Sequence, residues 1–129
     1  MKRRLLAILL LAVLLLPLLA CGEGKRDELY GTWELKSSKN HPEITEGVAD
    51  GSYRRTYTFD GKGTVVRTVY ENGEVKKSTL SYEILDRGTP TLKVDGWLLV
   101  PYSVTDDSLM LQIKEGNGWE FLACVRAGE

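Results

Sequence analysis

The chain has 129 residues, with 17 basic side chains, 18 acidic ones and a single His, for a net charge of -1. That length is one domain, large enough to bury a core without disulfide or metal staples. Charges of both signs are interspersed with no basic run or stripe, which excludes the electrostatic footprint of a nucleic-acid binder.

Met1-Lys2-Arg3-Arg4 gives a basic start, and Leu5 to Leu19 is apolar throughout apart from Pro17. A charged n-region, an apolar h-region and a small residue at the cut make a secretory signal. The run is shorter than the roughly 20 apolar residues a membrane-spanning helix needs. Its end, Leu18-Leu19-Ala20-Cys21-Gly22, resembles the lipobox of bacterial lipoproteins: Leu three before the cysteine, a small residue just before it and Gly after it. That resemblance implies thioether acylation of Cys21, cleavage before it and acylation of the new amine. A plain signal peptide with an incidental cysteine, or an anchor helix, is the alternative. Two or more acyl chains hold a protein on a bilayer where one does not. The expected organisation is therefore a signal peptide over 1–20, an acylated tether over 21–28, and one domain over 29–129 outside the cytoplasm. Gly22 replaces the Asp that resembles an inner-membrane retention signal, so the outer membrane is the expected site in a host with two. Without Lys2, Arg3 and Arg4 the mature chain has 14 basic and 18 acidic side chains.

From Leu29 onward the pattern is strand-like, with no convincing helix. Leu29, Gly31, Trp33 and Leu35 alternate with Tyr30, Thr32, Glu34 and Lys36, the period of a half-buried strand. Ser37 to Gly51 reads as a long irregular stretch, and Ser52 to Phe59 as a strand. Asp60-Gly61-Lys62-Gly63 turns into Thr64 to Tyr70. Asn72-Gly73 is the clearest hairpin signal, because a type I′ turn needs positive φ at both central residues. Val75 to Leu85, Thr91 to Val94, Trp97 to Val104, Ser108 to Lys114 and Trp119 to Arg126 complete eight strands. Asp86 to Pro90, Asp95-Gly96, Asp106-Asp107 and Gly116-Asn117-Gly118 separate them. Strands at this spacing form an antiparallel sandwich or barrel, and successive hairpins favour a closed up-and-down barrel, which removes exposed edges.

Few residues suggest chemistry. His41, alone, falls in the irregular stretch and reads as a solvent-exposed loop residue rather than a metal ligand, since a metal site needs convergent donors. No Ser lies in a nucleophile elbow, and Gly61-Lys62-Gly63 opens no helix that could cradle a phosphate. The expectation is a protein that is not an enzyme and holds neither metal nor cofactor. With Cys21 lipidated, Cys124 has no intrachain partner and reads as a small buried apolar residue. If Phe59 faces inward, so do Tyr57, Arg55 and Tyr53. An inward Arg needs a carboxylate, a wet lumen or an anionic ligand. A one-residue slip in register would send Arg54 inward instead. Trp97 and Trp119, just after turns, read as core plugs at a barrel end or as gates at its mouth.

The ordered set of Gly31-Thr32-Trp33, Tyr57 to Val65, Tyr82-Glu83-Ile84 and Tyr102 to Leu111 resembles the lipocalin-like group of calycin barrels, over about Leu29 to Arg126. The resemblance implies that Gly31 and Trp33 form a Gly-x-Trp signature, and that Arg126 packs over Trp33 to seal one end. The domain is shorter than a full lipocalin and has no helix after the last strand.

Two functions follow as expectations. One is a membrane-anchored barrel that binds a small apolar or amphipathic molecule in its open end, lined by Tyr53, Arg55, Tyr57, Tyr82 and Tyr102. The other is a filled barrel whose outer face or Ser37 to Gly51 segment docks an envelope protein. The anchor itself is testable. Cys21→Ser should abolish acylation and leave the precursor uncleaved in a membrane-fraction immunoblot. Normal maturation and membrane partitioning of that variant would contradict the assignment.

Overall fold

The computed structural model describes residues 27–127. The signal segment and Cys21, with its expected acylation, lie outside the described residues. Eight antiparallel strands follow one another as β1 (Gly31–Ser38), β2 (Tyr53–Phe59), β3 (Thr64–Glu71), β4 (Glu74–Asp86), β5 (Pro90–Val94), β6 (Leu98–Thr105), β7 (Ser108–Glu115) and β8 (Gly118–Arg126). Each pairs with the next, and β8 pairs back onto β1, so the sheet closes into a barrel. This is the eight-stranded up-and-down barrel that the hairpin rhythm predicts, with strand ends within two residues of those expected. Asn72 and the glycine after it both take positive φ, as the Asn-Gly signal requires.

One element differs. The stretch expected to be irregular contains a nine-residue helix, α1 (Pro42–Asp50). It is too short to show a convincing apolar period, and only Gly47 in it is buried. Its boundaries do carry signals: Pro42 at the first turn and Gly51 in the left-handed conformation just after the end, the usual Pro-start and Gly-stop asymmetry. A Cβ on Gly47 would lie 2.8 Å from the Cβ of Tyr53, so only glycine lets the helix sit this close to the start of β2.

Up-and-down connectivity sorts the connections between two poles. The β1–β2 crossing with α1 and the β3–β4, β5–β6 and β7–β8 turns lie at one pole, the mouth. The other three turns and both described chain ends lie at the other, the plugged pole. β4 is the irregular member of the wall. Its Glu74–Ser81 half pairs with β3 and its Tyr82–Asp86 half with β5, so near the mouth β4 has no partner on the β5 side.

The core is one cluster, and Trp33, Leu29 and Leu35 in it have no exposed surface. Trp33 is the plug. Its indole Nε1 donates to the Leu29 carbonyl at 2.9 Å, and the Arg126 guanidinium lies 4.1 Å from its ring centroid. Arg126 also donates to the Tyr30 carbonyl at 2.8 Å and pairs with Asp107 at 3.6 Å. Gly31 has φ +117°, and a Cβ there would lie 3.0 Å from Arg126 Nη1. The Gly-x-Trp pattern and the late Arg thus meet physically: the glycine leaves space for the arginine that covers the tryptophan. Truncating Trp33 to Ala removes a large buried aromatic, worth about 3–5 kcal/mol, against a total stability of about 5–15 kcal/mol. Thermal melts should show Trp33→Ala unfolded or shifted down by well over 10 °C. A shift of only a few degrees would count against its role as the plug.

Candidate functional site

Alternation along β2 settles which side chains enter the barrel. Phe59 and Tyr57 are buried in the interior, and Tyr53 packs against the core from the mouth side. Arg55 shares their face. The alternative register, with Arg54 inward, does not occur. Arg54 lies outside, over the Tyr70 ring at 5.2 Å and 3.5 Å from a Glu34 carboxylate oxygen.

Arg55 has no carboxylate partner among the described residues. Its Nε donates to the Tyr53 hydroxyl at 2.8 Å, its Nη1 to the Tyr57 hydroxyl at 3.3 Å, and its Nη2 also to Tyr53. Burial alone would lower the guanidinium pKa, but the Tyr57 and Tyr53 oxygens outweigh it and hold it above its ordinary value. The group is therefore a permanent cation whose polar contacts, among the described residues, are two phenols. Its charge also reaches Cys124 on β8. Burial pushes that thiol up to about 12, with Arg55 acting in the opposite direction, so Cys124 is an inert apolar residue.

Arg67, which the strand pattern alone does not single out, stands opposite Tyr57 on β3. With Val65 buried, alternation puts Arg67 on the inner face, and no ion pair engages it among the described residues. It is the joint between two spaces. On the inner side lies a partly open apolar chamber of about 210 Å³, walled by Tyr57, Phe59, Val65, Leu92, Val100 and Leu111 among others. On the outer side is a cleft of about 610 Å³ between α1 and strands β2–β4, lined by Ile44, Tyr53, Arg55, Arg67, Val69, Glu71, Lys76 and Ser78 among others. The barrel is not packed solid. A larger depression of about 830 Å³, around Tyr30, Arg54, Asp60, Asp107 and Arg126, lies on the outer wall beside the plugged pole and opens away from the interior.

Of the five expected lining residues, Tyr53, Arg55 and Tyr57 come together at the mouth. Tyr82 and Tyr102 do not join them. They are buried, but their hydroxyls point to the plugged pole, where Tyr82 donates to Asp27 at 2.6 Å and Tyr102 to Glu28 at 3.2 Å. Burial first, and then the acidic partners, raise both phenol pKa values. Inward parity was legible from the strand pattern; position along the barrel axis was not. Asp27 and Glu28, expected in the tether, are thereby part of the plug. The tryptophans after turns are not core plugs. Trp97 is 74% exposed and Trp119 41%, both at the mouth, because β8 alternation sends Glu120 inward and Trp119 outward.

Glu120 is the buried carboxylate that sequence reasoning missed, though it shares parity with Leu122 and Cys124. It accepts from Ser38 Oγ at 3.0 Å and from the Asn40 and Phe121 amides. These bonds overcome its desolvation and lower its pKa. His41, the residue capping the start of α1, is half-exposed as expected but not free. Its Nε2 lies 3.2 Å from Glu115 and 3.6 Å from Glu120, and its Nδ1 3.3 Å from Glu43. The three donor groups of His41, Glu115 and Glu120 fall within 4.8 Å of one another. When His41 is protonated, its ion pairs with Glu115 and Glu120 form a latch between the helix start and the β7–β8 turn.

No known family model and no curated protein matches the chain. Solved structures are similar to it at low identity. A point mutant of the "REP1-NXSQ fatty acid transporter" has 12% identity and a TM-score of 0.48, covering 78% of this chain and 98% of that one. The wild-type "fluorescent protein UnaG" has 16% identity and a TM-score of 0.43, covering 78% and 98%.

The latch has a pH sign. The hydrogen bond to Glu115, opposed by desolvation and aided by the charges of Glu115, Glu120 and Glu43, raises the His41 pKa above 6.5. A raised folded-state pKa stabilises fully below the unfolded value and is lost as pH rises through the folded one. His41→Gln should therefore lower the melting temperature at pH 5.5 and have little effect at pH 9. An equal loss at both would mean that packing, not charge, holds the helix start.

Proposed function

We propose that the barrel binds a small amphipathic molecule with an acidic head, its head group at Arg55 and Arg67 and its apolar part in the inner chamber. The observation that carries this reading is the pair of inward arginines without carboxylate partners among the described residues, placed where a polar mouth meets an apolar chamber. An inward cation with only phenols as partners is costly to leave unanswered, and a guanidinium fork suits a carboxylate or phosphate ligand. The chamber alone is below the roughly 300–1,000 Å³ usual for small-ligand sites, but joined to the cleft it falls within that range. α1 covers the cleft and is fastened by the His41 latch, so ligand entry runs past the helix or along the unpartnered half of β4. In the same reading the protein is an envelope lipoprotein, held by acyl chains on Cys21 and facing the extracytoplasmic side.

The decisive comparison is Arg55→Ala with two fluorescent probes of equal chain length, a dansyl-labelled fatty acid and its alcohol. Losing one buried charge-assisted contact costs about 2 kcal/mol or more, roughly 30-fold in Kd. The acid should lose that affinity while the alcohol stays within about threefold. The free domain should melt at the same temperature or higher, because no carboxylate is stranded. Equal losses for both probes, or a lower melting temperature with unchanged acid binding, would make Arg55 a structural residue.

A further inference from the structure

We infer that the mouth of the barrel faces away from the bilayer that anchors it, so that the site exchanges ligand with the aqueous compartment rather than by contact with that bilayer. The inference rests on the acylation of Cys21 in the reading above. It is carried by where the chain enters the fold. The N-terminal segment is wired into the plugged pole from its first described residue. The Asp27 amide donates to the Gly61 carbonyl at 3.2 Å, and the Asp27 carboxylate accepts from Tyr82 at 2.6 Å. Leu29 has no exposed surface and holds the Trp33 indole through its carbonyl. No slack is left after residue 27.

The link from Cys21 to Asp27 is then six residue steps, which span at most about 20 Å even when fully extended. The wall it would have to pass is longer. An eight-residue strand such as β7 is about 26 Å long and, tilted as barrel strands are, rises about 20 Å. The helix lying across the mouth adds about 10 Å. Bringing the mouth down onto the anchoring bilayer would need a tether of about 30 Å along the barrel flank, against about 20 Å available. The plugged pole therefore stays near the lipid surface, and the cleft with Arg55 and Arg67 opens on the far side. Trp97 and Trp119, exposed at the mouth, likewise point away from the lipids that hold the protein.

Single-cysteine labels measure this in the intact lipidated protein, because Cys21 is blocked by acylation and Cys124 is buried and inert. Arg87→Cys in the β4–β5 turn marks the plugged pole, and Asn117→Cys in the β7–β8 turn marks the mouth. Each is labelled with a donor dye, and the protein is reconstituted into vesicles of phosphatidylethanolamine and phosphatidylglycerol containing a rhodamine-lipid acceptor. Flotation is scored first, then energy transfer. The expected result is co-flotation with clearly stronger transfer from position 87 than from position 117. Failure to float removes the anchor, and the orientation with it. Flotation with equal transfer, or with stronger transfer from position 117, overturns the orientation alone and leaves the anchor standing.

Discussion

The stacking of Arg126 on Trp33 is the contact on which the rest of the barrel depends. The two residues are direct partners across the β1–β8 seam, the one pairing in the wall that joins the ends of the chain rather than neighbours in sequence. Hairpins form locally and cheaply, whereas closing the first strand onto the last must overcome the entropy of a loop nearly as long as the domain. A fully buried indole, satisfied at Nε1 and covered by a guanidinium that reaches the Tyr30 carbonyl and Asp107, concentrates favourable contacts at that seam. Closure in turn gives the interior two ends of different character. One is filled with Trp33, Leu29, Tyr82 and Tyr102, and the other is left open beneath a short helix.

That asymmetry explains why polar groups at the two poles play such different parts. At the plugged pole each buried phenol has an acid to bond, supplied by Asp27 and Glu28, and the network is complete. At the mouth, Tyr53 and Tyr57 give their oxygens to Arg55, and the positive charge is left without a negative one among the described residues. The same residue type thus closes one end and primes the other, and what differs is the charge placed against it.

The all-β class and the eight strands were legible because each rests on local pattern: period-two alternation, Asn72-Gly73 and Asp95-Gly96. The Trp33–Arg126 contact was implied by the resemblance to lipocalin-like barrels and not by any local pattern. The inner face of β2 was legible from the same alternation as the strands. α1 was not, because nine residues centred on Thr45 and Gly47 carry too little apolar periodicity, and helix formation there relies on packing against β1 and β2. Arg67 and Glu120 were within reach, since both share parity with buried neighbours, Val65 and Leu122. Tyr82 and Tyr102 show the limit of parity. It tells which face a side chain occupies but not its height in the barrel, which depends on register across several strands and on the N-terminal segment that meets them.

The half of β4 that pairs on one side alone gives the wall a seam. Along Glu74–Leu80 the backbone bonds to β3 and pairs with no strand on its other edge, until Ser81 bonds to Asp95. Widening the barrel there breaks no ladder bonds to β5, whereas opening it between β7 and β8 would break a ladder running from Ser108 to Glu115. Such an edge is also a template for another strand, a liability that proteins limit with charge. Lys76 and Lys77, flanked by Glu74, occupy this stretch. In the proposed reading this seam is where a guest enters, while its charges discourage the barrel from pairing with itself.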